Sequence, residues 1–187
     1  MSTVRNILEA LMEEAVAARA HFQTWWALRN LALPTYYDTM NESSYVDFFH
    51  ASNAGHYKLF FLALSKIYDR DERAAGLVSL REALRNEGFA TVAEVLEQEV
   101  SPHTALVARV MGIRNKTIVH NEYAFSRERV YEINGVTPNE IRDLINVTCR
   151  ILNDTARELG VSNTIFDSDR HERAVLQVLQ TMQRARR

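Results

Sequence analysis

Ten consecutive residues, Gly112-Ile113-Arg114-Asn115-Lys116-Thr117-Ile118-Val119-His120-Asn121, combine a planar fork of fixed positive charge, an amide, a second cation and a group that titrates near neutrality. Those groups suit phosphodiester chemistry. Cleavage of RNA by its own 2′-hydroxyl needs a base for the hydroxyl proton, an acid for the leaving oxygen and positive charge beside the crowded phosphate. Histidine and arginine supply all three without a metal. Arg114, Asn115 and His120 are therefore the candidate catalytic residues, with Lys116 and Arg109 as candidate RNA contacts. Each also has a plainer reading. His120 can cap a helix end, Arg114 can pair with Asp69 or Glu122, Asn115 can orient a neighbour and Lys116 can simply be solvated.

The remaining chemistry is defined by absence. The chain has no phosphate-cradling glycine loop, Gly-x-Ser-x-Gly elbow, His-Glu-x-x-His or paired cysteines. The six histidines, at 21, 50, 56, 103, 120 and 171, are scattered over four predicted helices, so a metal site needs tertiary convergence. No metal and no cofactor is expected.

The elements that must position the motif are helical. With 187 residues, 47% hydrophobic and 25% charged, the chain fits a single globular domain over residues 1–187, and disordered or low-complexity classes are excluded. Only 6 Gly and 3 Pro leave few turns, which favours an all-α architecture. Apolar spacing predicts a long first helix over residues 3–31, with Trp25 and Trp26 in the core, stopped by Pro34. A polar loop at 38–44 follows, in which Ser44 and Asp47 have capping-box spacing. A second helix over 45–68 is apolar on more than one side, as suits the centre of a bundle. Short helices are predicted at 77–86 and 92–100, with Gly88 ending the first and Thr91 with Glu94 capping the second. Ser101-Pro102 opens the motif helix, which runs to His120-Asn121. A small hairpin is predicted at residues 130–136. Thr137-Pro138-Asn139-Glu140 starts a helix ending at Gly160, and a last helix runs from Asp169.

On an ideal α-helix, Arg114 and His120 differ by about 120° in direction and roughly 9 Å in height, so they do not share a face. A two-fold dimer pairing this helix with its copy gathers both sets of residues in one cleft.

Cys149 is the single cysteine, so an intrachain disulfide is excluded and a reducing cytoplasm is the expected location. The longest wholly apolar run, residues 59–64, is far too short for a membrane span. Net charge is −2, yet 19 of the 22 basic residues are arginine. Any nucleic-acid contact is therefore expected to be local.

Arg114-Asn115 followed by His120, late in an all-helical chain of this size, resembles the Arg, polar residue, short gap, His pattern of the HEPN superfamily. Leu64-Ser65-Lys66-Ile67-Tyr68-Asp69-Arg70 resembles the helix end that precedes the motif in the abortive-infection AbiU-like branch. The resemblance implies an antiparallel four-helix bundle with additional short helices. It also implies a homodimer through the motif helix, and metal-independent endoribonuclease activity in antiphage or toxin-antitoxin defence, with a possible cognate antitoxin. Relatives without cleavage activity serve as RNA-binding or protein-interaction modules, which is the alternative function. In some toxin members a modifiable tyrosine stands two places after the histidine. Here Glu122 holds that place and tyrosine follows at Tyr123.

Overall fold

The computed structural model describes residues 3–119, 135–162, 164–165 and 167–185. The regular structure among them is all helical. It comprises α1 (Thr3–Trp26), a π-turn (Ala27–Leu31), α2 (Leu33–Met40), α3 (Val46–Ile67), α4 (Leu77–Asn86) and α5 (Ala90–Val100). A 3₁₀ turn (Ser101–His103), α6 (Thr104–Ile113), a second π-turn (Arg114–Val119), α7 (Pro138–Glu158) and α8 (Arg170–Ala185) complete it.

Apolar residues at three- and four-residue steps place Val4, Leu8, Leu11, Ala15, Ala18 and Phe22 of α1 inside. α3 runs antiparallel to α1, since Glu14 pairs with Lys66, His21 with His56 and Phe22 with Phe60. α7 runs antiparallel on another side: Arg19 Nη2 donates to Asn146 Oδ1 at 3.3 Å, and Cys149 Sγ lies 3.9 Å from the Ala15 carbonyl. α4 and α8 also touch α1. The central element is thus α1 and not α3, whose first half faces solvent; Phe48 is 67% exposed.

Phe22, Phe60 and Phe61 are fully enclosed. Trp25 stands 5.5 Å from Phe60, and Trp26 stacks on Phe22 at 6.4 Å. Both tryptophans, expected in the core, are half-buried at its edge. The α4–α5 hairpin is closed by Arg81 and Arg85, which both donate to Glu97. Glu87 accepts the Val4 amide and so caps the start of α1. A second small core, Leu28, Ala32, Met40, Phe49 and Leu179, seats α8 on α2.

Several boundaries differ from expectation. Pro34 does not stop a helix; it lies in the first turn of α2, where its missing N–H has no bond to lose. The loop accordingly shrinks to residues 41–45, and α3 starts after Tyr45 with no side-chain cap, so the Ser44 and Asp47 box is not formed. Thr91 is already inside α5, which begins at Ala90. Ser101-Pro102 opens a 3₁₀ turn before α6. Thr137 behaves as expected, accepting the Glu140 amide while Glu140 Oε2 accepts the Thr137 amide at 2.7 Å. Gly88 and Gly160, with φ of 88° and 65°, follow α4 and α7 in the left-handed conformation that glycine adopts most readily. The predicted hairpin lies outside the described residues except for its last two positions.

Phe60→Ala should cost about 3–5 kcal/mol of stability, because the α1–α3 seam cannot collapse around so large a void. Phe48→Ala should stay within about 0.5 kcal/mol. Denaturant unfolding of both variants checks this; equal losses would contradict the assigned core.

Candidate active site

The motif begins where the core ends. Val110 and Ile113 of α6 are fully buried. The next residue, Arg114, is half-buried and opens the π-turn Arg114–Val119, which rests against α3. π-turns are uncommon and recur at functional positions. Their i to i+5 hydrogen bonds widen the coil, so the angular offset expected of a straight α-helix does not apply across residues 114–119. The motif helix therefore stops being α-helical at Ile113, well before His120, which lies outside the described residues with Glu122 and Tyr123.

Arg114 Nη1 donates to Asn115 Oδ1 at 2.7 Å. Its Nε is shielded from solvent and donates to no described atom. The Asp69 carboxylate is not its partner: Asp69 Oδ1 accepts the Asp71 amide at 2.9 Å and stays exposed. Gly76 lets the chain fold back there, since a Cβ would stand 2.7 Å from the Asp69 carbonyl oxygen. Asn115 is exposed and Lys116 half-buried. Three of the five candidates, Arg114, Asn115 and Lys116, thus share one turn.

Arg109 has a different place. Its Nη1 donates to the Gly135 carbonyl at 2.6 Å and its Nη2 to Glu140 Oε1 at 2.7 Å. Its fork clamps α6 to the start of α7, so an RNA contact by Arg109 has to compete with that clamp. Glu140 receives donors from the Thr137 amide, Arg109 and the Thr137 hydroxyl, and these hold its carboxyl at about 2.

Sequence reasoning missed a cleft of 670 Å³ between α1, α7 and α8, lined by Arg19, Trp26, Arg142 and Glu172 among others. The Arg142 guanidinium lies 4.7 Å over the Trp26 ring. Nothing in the spacing of Trp26 and Arg142 announced that contact, which depends on how α1 and α7 pair.

A family model described as AbiU2, of the HEPN group, matches residues 1–178. The chain belongs to the HEPN AbiU2 family. No curated protein and no solved structure matches it. For an AbiU2 chain the all-α bundle and the abortive-infection class are thereby established together. Among its described residues no helix is long and apolar enough to cross a membrane.

The Glu140 clamp gives a pH signature. Its carboxyl is held near 2 in the fold against an ordinary 4.5. Its stabilising contribution is therefore complete above about pH 4.5 and is lost as the pH falls toward 2. Because the group is partly open to solvent the effect is small. Unfolding at several pH values should show a shallower acid loss for Glu140→Gln than for the wild type in that window; an equal or steeper loss would overturn the assignment.

Proposed function

We propose that this chain is a metal-independent endoribonuclease of abortive-infection or toxin-antitoxin defence, working as a two-fold dimer through its motif region. The observation that supports it is the Arg114–Asn115 pair on a π-turn at the edge of the core, in a chain of the HEPN AbiU2 family. In this reading the substrate 2′-hydroxyl loses its proton to a base, attacks the adjacent phosphorus and expels the 5′-oxygen, leaving a 2′,3′-cyclic phosphate. His120 transfers the proton, and Arg114 offsets charge on the non-bridging oxygens. Asn115 orients the guanidinium without neutralising it. The motif has cations and an acid-base group but no carboxylate cluster for a divalent ion, so the chemistry is metal-independent. The dimer brings a second motif to the same cleft, and a cognate antitoxin is the expected regulator. A second reading is a non-catalytic RNA-binding or assembly module; the fork of Arg109, engaged within the fold, favours the assembly form of it over RNA contact at that residue.

Purified protein incubated with total RNA in EDTA tests the reading. Cleavage should persist, with cyclic phosphate ends, and vary with pH in the range near neutrality where histidine side chains change charge. His120→Ala should lower the rate about 10²- to 10⁴-fold. Arg114→Lys, which keeps the charge and removes the planar fork, should also lower it severely. Folding of each variant is followed by circular dichroism. Uniform 5′-phosphate ends would overturn the 2′-hydroxyl mechanism, and wild-type rates in both variants would leave the assembly-module reading in its place.

A further inference from the structure

Two of the six histidines, distant in sequence, meet across the α1–α3 seam. His21 Nδ1 and His56 Nδ1 share a hydrogen bond of 2.9 Å, one ring donating its N–H and the other accepting, with ring centroids at 5.0 Å and planes inclined by 45°, so a metal ion held by both nitrogens has to displace that proton. Two imidazolium rings repel each other at that separation. Burial lowers the titration of both rings: the Glu14 charge partly opposes this at His21, and His21 adds to it at His56. Both rings are half-buried and so remain reachable from solvent.

The separation is close to that of two ligands on one tetrahedral metal ion. With metal–nitrogen bonds of about 2.0–2.1 Å, neighbouring ligand atoms lie roughly 3.3 Å apart. A small rotation of either ring opens the contact by the remaining few tenths of an ångström. α1 and α3 are tightly packed around Phe22 and Phe60, so the two ligands are held in advance. The charged surroundings come from three helices. Glu14 on α1 acts favourably on His21 and pairs with Lys66 of α3. On α8, His171 is within electrostatic reach of His21 and accepts from Arg170 Nε at 3.2 Å.

We propose that His21 and His56 form a binding site for a borderline divalent cation of the zinc type, bridging α1 and α3. Imidazole nitrogen suits zinc, copper and nickel, whereas magnesium and calcium prefer oxygen. Among the described residues no group of three or more His, Cys, Asp or Glu side chains gathers to hold a metal. The protein therefore supplies two ligands and water completes the shell, which makes an exchangeable site of modest affinity. The site is separate from the motif and independent of the ribonuclease reading. It braces α3, the helix against which the motif turn rests.

Tag-free full-length protein, stripped with EDTA and freed of chelator, is titrated with zinc chloride by calorimetry and by thermal unfolding. Expected are one zinc per chain, a melting temperature that rises with zinc concentration and no response to magnesium chloride. Binding should weaken between pH 7.5 and 5.5, because protons compete for the same nitrogens. His21→Ala and His56→Ala should each weaken zinc binding at least about tenfold, whereas the exposed His50→Ala should not. Should an alanine variant fail to fold by circular dichroism, His21→Gln and His56→Asn carry the same test. No zinc binding by the wild type, or stoichiometric binding that survives in both variants, overturns the proposal. RNA cleavage is not a readout, so loss of the ribonuclease reading leaves this result untouched.

Discussion

The edge-to-face contact of Phe22 with Phe60, at 5.5 Å, lies at the seam on which the other elements depend. A helix apolar on several sides must be covered on several sides. α1 instead carries one wide apolar stripe from Val4 to Phe22, and covering that stripe sets the architecture: α3 and α7 run antiparallel along it, α4 and α8 also pack on it, and α6 completes the cluster through Val110 and Ile113. Aromatic pairs add about 0.5–1.5 kcal/mol each beyond the area they bury, so the run of ring contacts from Trp26 to Phe61 fixes the α1–α3 register strongly. Once that register is set, the face of α3 that receives the motif turn is set too. The core therefore reaches the motif by one short step, from the fully buried Ile113 to the half-buried Arg114.

Much of this was legible in residue patterning, and the failures have physical causes. The all-α class, the order of the long helices and the start of α7 follow from apolar spacing, scarce glycine and the Thr137 box. Pro34 misled because proline is excluded from a helix interior yet tolerated in the first turn, and sequence does not say which position it holds. Ser44 and Thr91 misled because a capping residue competes with the packing of its neighbours. Tertiary contacts carried α2 to Met40 and started α5 at Ala90, leaving one residue outside its helix and the other within it. The π-turn was invisible, since moving a hydrogen bond from the fourth to the fifth residue leaves no mark on composition. The meeting of His21 with His56 was invisible as well, because the two residues are 35 positions apart and meet only through the register of two helices.

The excess of arginine over lysine acquires a structural meaning in this fold. Arg81 and Arg85 share Glu97 across the α4–α5 hairpin, Arg150 ties α7 to Glu99 of α5, and Arg109 ties α6 to α7. Arg19, buried within the α1–α7 contact, reaches Asn146. Exposed pairs of this kind contribute roughly 0–1 kcal/mol each, so they are weak as glue. Their value is orientation, because a planar fork that engages two acceptors fixes direction where an ammonium fixes only distance. A low net charge and an arginine-rich composition are then compatible: these five guanidinium groups join helices, while others, such as Arg5 with Glu9 and Arg157 with Asp154, pair within a single helix.

Arg114 differs from those clamps in what holds it. On an α-helix, neighbouring side chains point about 100° apart and do not face each other. In the π-turn, Arg114 Nη1 nevertheless meets the side chain of Asn115 at 2.7 Å. A carboxylate at position 115 would orient the guanidinium equally well but would neutralise it and weaken its field. An amide carbonyl accepts one N–H and leaves the full charge in place. Adjacent arginine and asparagine thus have a consequence that neither residue has alone: a cation with its direction fixed and its charge retained. Preorganised charge of that kind needs little reorganisation when an anionic group arrives. The polar residue after the arginine is, on this argument, a constraint on the guanidinium.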